Sequence, residues 1–299
     1  MRVWIVRGAA GVAGLGVAGA LVVTAVPGVS ARISCWYRHH SAIPGGVSWS
    51  ADGRTLVFSR YGRCTSELAQ VGATGGRVRR VVGTLGGDQA PALSARGAIL
   101  TLSWTGLWRI DGSRRTKIGP SASDFGGSWS PDSRRVAYTH GSVGGLAGDH
   151  ETSLYVVAAD GARVRRILHH GIEPGAPAWS PGGDLLAVAG IGGVYTLHPD
   201  GTKLTRVFRR DDTTFDVTPP TLAWSRDGRF LAWLDDGVEI LDVRRRKIVR
   251  SFGSGGSNHD SAAWSPDGEE LAYTISLGGR TGLFVIDLRT GRTRRLAGT

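Results

Sequence analysis

Polar residues that could bind a ligand recur at a fixed distance before one position of the sequence. Asp88, Asp124 and His259 each lie five residues before a tryptophan or leucine that starts a short common motif. Comparable places elsewhere in the chain hold Glu173, Asp216, Asp260 and His40. Carboxylates and imidazoles in this arrangement could hold a cation, a basic peptide or a polar small molecule. The same side chains could instead cap turns by bonding to free backbone amides.

Other signatures of chemistry are missing from the sequence. It contains no G-x-S-x-G, H-E-x-x-H or C-x-x-C motif and no P-loop lysine, so neither a nucleophile nor a metal ligand is indicated. A G-x-G-x-x-G match at residues 14–19 has no acidic residue in the required range. We expect no catalytic residue, no metal ligand and no cofactor. The ligand-binding candidates are Asp88, Asp124, Glu173, Asp216, His259 and Asp260.

The tryptophan or leucine belongs to a sequence repeat. Six stretches follow the pattern of AAWSPDGEELAYT, which begins at Ala262, with an anchor residue, a turn and an alternating apolar tail. The anchors are separated by 36 to 50 residues and are Trp49, Leu93, Trp129, Trp179, Trp224 and Trp264. A period in the low forties is that of a four-stranded propeller blade or a helical repeat.

A second recurring motif favours strands over helices. After each hairpin comes a short apolar run, a turn and a basic run, as in SLYVVAADGARVRRIL from Ser153. Apolar residues alternate with period two, and Asp-Gly at the joint is typical of a two-residue hairpin turn. Each repeat therefore predicts strands A, B, C and D in order. Six repeats predict an all-β, six-bladed propeller of four-stranded antiparallel blades. The tryptophans are expected to pack between blades. The serine that follows each of them recurs too often to be catalytic and is expected to have a structural role.

The W-S-P-D-G-x-x-L-A pattern, followed by Y-V and then D-G and R-L, resembles the propeller repeat of the TolB family. A similar repeat style occurs in the propeller domains of prolyl-oligopeptidase-type enzymes. The resemblance covers roughly residues 44 to 298. It implies a six-bladed propeller, and folds of this kind host many functions.

The N-terminal segment has the features of a secretory signal. Arg2 and Arg7 precede an uncharged run, residues 8–31, that ends in the small residues Val-Ser-Ala. The run is also nearly long enough to serve as an uncleaved membrane anchor. We therefore predict a signal peptide or anchor at residues 1–31, an N-terminal extension at 32–43, a propeller at 44–299 and an extracytoplasmic location, secreted or membrane-tethered.

The two cysteines are expected to form one disulfide in such a compartment. Cys35 precedes the first strand A, and Cys64 lies in the first B–C loop. Because strands alternate in direction, both places belong to the same end of the propeller. The alternative is a pair of free thiols.

The positive charge is concentrated in the predicted D strands. The chain has 36 Lys and Arg against 25 Asp and Glu, with a net charge of +11. Lys and Arg on an outer edge protect it from pairing with other sheets, so we expect no nucleic-acid partner. An anionic lipid or cell-wall polymer remains a candidate partner for this basic rim. The residues are Arg77, Arg79, Arg80, Arg114, Arg115, Lys117, Arg163, Arg165, Arg166, Lys203, Arg206, Arg209, Arg210, Arg244, Arg245, Arg246, Lys247, Arg250, Arg292, Arg294 and Arg295.

Three functional interpretations follow from the sequence. The first is a non-catalytic binding or scaffolding propeller that docks a protein or peptide of the cell envelope at the channel mouth. The second is a propeller enzyme (a lyase, lactonase or hydrolase) with a metal or polar site there. The third is a membrane-tethered sensor anchored by residues 8–31.

Overall fold

The computed structural model describes residues 46–61, 66–85, 87–103, 105–119, 124–142, 151–169, 171–210, 220–234, 237–253, 259–277 and 280–298. These residues form six four-stranded sheets. In each sheet the strands pair antiparallel and in chain order. We label them A to D from the centre outwards. This confirms the predicted all-β, six-bladed propeller.

The first three blades run from Val47 to His169. Blade 1 contains β1 (Val47–Trp49), β2 (Thr55–Tyr61), β3 (Ser66–Gly72) and β4 (Arg79–Arg80). Blade 2 contains β5 (Gln89–Leu93), β6 (Ile99–Ser103), β7 (Gly106–Asp111) and β8 (Arg114–Lys117). Blade 3 contains β9 (Asp124–Trp129), β10 (Arg135–Ser142), β11 (Glu151–Ala158) and β12 (Arg165–His169).

The last three blades run from Ala178 to Gly298. Blade 4 contains β13 (Ala178–Trp179), β14 (Leu186–Gly190), β15 (Gly193–Leu197) and β16 (Thr205–Arg209). Blade 5 contains β17 (Ala223–Trp224), β18 (Phe230–Leu234), β19 (Gly237–Asp242) and β20 (Lys247–Gly253). Blade 6 contains β21 (His259–Trp264), β22 (Glu270–Leu277), β23 (Arg280–Asp287) and β24 (Thr293–Gly298).

The apolar core is divided between the blade interfaces. Among the described residues there are six buried clusters, and each joins two neighbouring blades. One of them packs Trp49 and Phe58 of blade 1 against Leu283 and Val285 of blade 6. Burial of these faces is the main stabilising term, so a blade depends on both of its neighbours.

Indole hydrogen bonds tie the A strands of adjacent blades together. The Nε1–H of Trp129 donates to the carbonyl oxygen of Ala92, the residue before the anchor of the preceding blade, at 3.0 Å. Trp49, Trp224 and Trp264 make the same bond to the preceding blade. The tryptophans are therefore core residues between blades, as predicted.

A serine and an aspartate build most of the A–B turns. The Ser265 hydroxyl donates to Asp267 Oδ1 at 2.5 Å, while its oxygen accepts the backbone N–H of Glu270. Ser50, Ser130 and Ser225 make the same pair of bonds in their own turns. The recurring serine thus has the architectural role that its repetition indicated.

The C–D joints differ in length from the prediction. Only blade 2, among the described turns, has a two-residue loop, between Asp111 and Arg114. In blade 5 the paired residues are Asp242 and Lys247, so four residues form the loop. The expectation of two-residue turns was wrong there because the Asp242 carboxylate accepts the N–H of Arg245, which stabilises a wider turn.

Several predicted features lie outside the described residues. These are the signal peptide or anchor at 1–31, the extension at 32–43, His40, Asp216 and the Cys35–Cys64 disulfide. None of the residues that the structure does describe forms a helix long and apolar enough to cross a bilayer.

Candidate binding site at the channel mouth

The starts of the A strands and the ends of the B strands lie at one end of the propeller. In blade 1 this is shown by the bond from the N–H of Ser59 to the carbonyl of Gly46. We call this end the loop face, and the opposite end, which carries the A–B and C–D turns, the turn face. The five described candidate positions precede or begin A strands and so belong to the loop face.

Asp88 is held by partners within the protein. Its carboxylate is fully buried and forms a bidentate ion pair with Arg115, at 2.7 and 2.8 Å. It also accepts the backbone N–H of Leu85 at 2.7 Å. The Arg115 guanidinium in turn lies over the ring of Trp108. Asp88 therefore fastens the connection from blade 1 to blade 2 onto strand D of blade 2.

Glu173 makes a similar tie between blades 3 and 4. Its Oε2 accepts the N–H and the hydroxyl of Thr152 in β11, at 3.1 and 3.2 Å. The residue has a positive φ of 44°, which costs energy in a side chain of this kind. The Thr152 contacts hold the segment that leads into blade 4.

The other candidates are placed by their backbones. Asp124 begins β9 and pairs with His140, and His259 begins β21 and pairs with Ile275. Asp260 lies at an irregularity in the pairing of the same strand. Asp216 lies outside the described residues. The structure thus brings Asp124, His259 and Asp260 to strand starts around one opening.

Uncharged and mostly small residues form the wall of the central channel, a feature that was not predicted from the sequence. A cavity of about 140 Å³ runs between the A strands of all six blades. Gly46 shows how closely the strands approach, because a Cβ there would lie 2.6 Å from the Cα of Ala90. The signal was present as Gly, Ala, Ser and Pro just before each anchor. The wall consists of Gly46, Val47, Ser48, Ala90, Pro91, Ala92, Gly126, Gly127, Ser128, Ala176, Pro177, Ala178, Thr221, Leu222, Ser261 and Ala262.

Buried hydroxyls at the mouth bind the backbone between blades. Ser59 Oγ accepts the N–H groups of Gly46 and Ala90, and Thr139 Oγ1 donates to the carbonyl of Gly175 at 2.6 Å. These bonds fix the backbone two residues after Asp88 and two residues after Glu173. The described part of the chain holds no group of three or more His, Cys, Asp or Glu side chains that could bind a metal.

Comparison with solved structures finds other propellers. TolB from Acinetobacter baumannii superposes with a TM-score of 0.60 and 18% identity, over 88% of this chain and 67% of that chain. The chain has the TolB-like six-bladed propeller fold. An oligogalacturonate lyase in complex with manganese matches this TolB-like propeller with a TM-score of 0.55, 15% identity and coverage of 84% and 76%. A gluconolactonase from Xanthomonas campestris superposes with a TM-score of 0.60 and 17% identity, over 78% of this chain and 84% of that chain.

Sequence relatives match the TolB-like propeller only in part. The Tol-Pal system protein TolB of Francisella tularensis subsp. mediasiatica is 31% identical over 104 residues, 32% of this chain and 23% of that protein. The uncharacterized peptidase YuxL of Bacillus subtilis is 26% identical over 149 residues, 50% of this chain and 21% of that protein. The chain thus spans less than a quarter of the length of these relatives. No protein-family model matches it.

Proposed function

We propose that the chain is an extracytoplasmic, non-catalytic binding or scaffolding propeller that docks a protein or peptide of the cell envelope on its loop face. The observation that carries this proposal is the channel wall. Because the wall is narrow and has no charged side chain among its described residues, a polar partner has to bind across the mouth rather than inside. A mouth surrounded by the predicted polar side chains suits a macromolecular partner.

The contact residues of this proposal are Asp124, Asp216, His259 and Asp260, with Glu173 at their edge. Asp88 is buried in its pair with Arg115 and holds the connection into blade 2. The acidic character of the group favours a basic segment on the partner. The similarity to TolB supports the proposal at the level of the fold, and no cofactor is required.

Photo-crosslinking in the native cells tests the proposal. The variant replaces Asp124, Asp216 and Asp260 by arginine, which reverses the charge of the mouth. The matched control replaces Asp160, Asp184 and Asp200 of the turn face by arginine, which changes the net charge equally. We expect an envelope protein that crosslinks to the wild type and the control and is lost from the mouth variant. Equal crosslinking of both variants would contradict the proposal.

The enzyme interpretation predicts a different result. The oligogalacturonate lyase that shares the fold is in complex with manganese, and Asp124, His259 and Asp260 are residue types that bind divalent metals. Elemental analysis of the purified protein would then find a divalent metal at one per chain. The mouth variant would lose that metal, and the turn-face control would keep it.

The N-terminal predictions have their own measurements. N-terminal sequencing of the mature protein distinguishes a cleaved segment 1–31 from a retained anchor, which the tethered-sensor interpretation requires. Mass analysis before and after reduction tests the Cys35–Cys64 disulfide, because reduction to two thiols adds two hydrogen atoms to the chain, about 2 Da.

The basic rim remains a candidate surface for anionic lipid or cell-wall polymer. Its charges lie on the outer strands of all six blades or in the turns beside them, an arrangement that edge protection also explains. Co-sedimentation with anionic vesicles, compared with neutral ones, tests this part of the proposal.

A further inference from the structure

A groove opens between blades 5 and 6 on the turn face, away from the channel mouth. Its volume is about 640 Å³, within the range of ligand pockets. The rings of Phe230 and Trp264 stack at its floor with centroids 6.5 Å apart. Ile240 and Leu288 add aliphatic surface, and Val249 of the edge strand stands at its side. We call this cavity the 5–6 groove.

The position of Val249 distinguishes blade 5 from its neighbours. Strand D carries a bulge in blades 3, 4, 5 and 6. The bulged residues Ile167, Val207 and Leu296 are covered by the next blade, and Val207 is only 5% exposed. In blade 5 the bulge lies two residues nearer the C–D turn than it does in blades 3, 4 and 6. The bulged residue of blade 5 is Val249, which is 40% exposed. An apolar side chain is thus left uncovered beside an apolar groove.

Arginines frame the groove. Arg226 of blade 5 reaches across to the carbonyl of Pro266, and Arg250 reaches the carbonyl of Leu288, both in blade 6. Arg244, Arg245 and Arg246 form part of the C–D turn of blade 5, Lys247 begins the strand that follows it, and all four are exposed.

The aspartates near the groove are committed to internal bonds. The Ser225 and Ser265 hydroxyls donate to Asp227 and Asp267. Asp242 is buried between Arg229 and Arg245. Because the exposed Arg244, Arg246 and Lys247 add to Arg226 and Arg250, positive charges around the apolar floor outnumber the ionised Asp227 and Asp267.

We propose that the 5–6 groove binds an extended acidic segment of a partner protein. One apolar side chain of that segment enters the groove beside Val249, and its carboxylates meet Arg226, Arg250 and residues 244–247. A bilayer or a phosphodiester chain would be attracted to basic residues on every blade, whereas this groove combines positive charge with an exposed valine and a stacked pair of aromatic rings. This surface is independent of the loop-face function.

The test uses a short fluorescent peptide, blocked at both ends, in which one leucine is flanked by aspartates and glutamates. Its binding is measured by fluorescence anisotropy. The decisive variant is Val249→Lys, which removes the apolar contact while adding positive charge. The matched control is Val164→Lys, at an exposed valine of blade 3. Thermal unfolding of both variants verifies that they fold.

We expect Val249→Lys to weaken binding at least about tenfold, as loss of one buried leucine-sized contact implies, and Val164→Lys to leave it unchanged or tighter. A peptide with serine in place of the leucine should bind the wild type as weakly as the leucine peptide binds Val249→Lys. Equal or tighter binding to Val249→Lys overturns the proposal, because charge alone would then explain the interaction. It is also overturned if anionic vesicles, duplex DNA or self-association of the chain shows the same dependence on Val249.

Discussion

At the residue scale, the pair formed by Asp88 and Arg115 is the most deeply buried of the ion pairs seen among the described residues. The carboxylate is fully buried and the guanidinium nearly so. Removing one partner leaves a buried charge, so we expect Asp88→Asn to lower the free energy of unfolding by about 3 to 5 kcal/mol. Urea unfolding measures it. Asp111→Asn, in the more exposed pair with Arg109, should cost about 0 to 1 kcal/mol. Similar losses for both variants would contradict this assignment.

The turn aspartates give the protein a defined response to acid. The hydroxyl of Ser265 and the N–H of Glu269 lower the pKa of Asp267, and similar bonds lower the pKa of Asp52, Asp132 and Asp227. The ionised form is therefore favoured in the folded state. The ionised aspartates therefore stabilise the fold at pH values above their unfolded pKa of about 3.9. This stabilisation is lost as the pH falls through their lower pKa in the folded state.

We accordingly expect the urea midpoint to decrease between about pH 5 and pH 3. Asp267→Asn and Ser265→Ala should each make that decrease smaller, because each removes the same carboxylate–hydroxyl bond. Unfolding curves at several pH values measure the slope. An unchanged slope in both variants would show that the turn does not contribute to the acid response.

At the element scale, the indole bonds between A strands allow a matched comparison. Trp129 and Trp179 are buried alike, at 8% and 6% exposure. Trp129 donates its Nε1–H to Ala92, while no partner for Trp179 Nε1 occurs among the described residues. Both phenylalanine variants lose ring volume, and Trp179→Phe also weakens the contact of Arg135 with the ring, but only Trp129→Phe loses a hydrogen bond. We expect it to cost about 1 kcal/mol more in thermal or urea unfolding. Equal costs would assign the anchors a purely apolar role.

The sequence was most informative where a local pattern repeats. The W-S-x-D motif predicted the A–B turn and the buried anchor, since both depend on residues a few positions apart. The basic D strands were predicted because outer edges need charge. The bulge at Val249 and the ion pair of Asp88 with Arg115 were not predictable, because each depends on how separate strands meet in the ring. The same reason explains why the channel wall was missed.

At the scale of the whole molecule, the ring closes by packing. In the described part of the chain, each sheet is built from one continuous stretch, and no strand is shared between blades 1 and 6. Their contact consists of the cluster around Trp49 and Leu283, the indole bond from Trp49 to Ala263 and the bond from the N–H of Val47 to Ser261 Oγ. This interface consists of the same kinds of contact as the other five. The stability of the propeller should therefore depend little on which interface contains the chain ends.

Circular permutation tests that equivalence. A permutant that starts within residues 254–258, joins Gly298 to Gly46 by a Gly/Ser linker and omits the N-terminal segment keeps every blade intact. We expect its stability to change by about 1 kcal/mol or less, a shift of roughly 2 to 4 °C in Tm.

The control permutant opens at residues 235–236, between strands β18 and β19, and so separates two paired strands of blade 5. It should be clearly less stable because its sheet must be assembled from both chain ends, which adds the entropy of closing a long loop. If the two permutants unfolded at the same temperature, blades would not be the units on which the stability of this propeller depends.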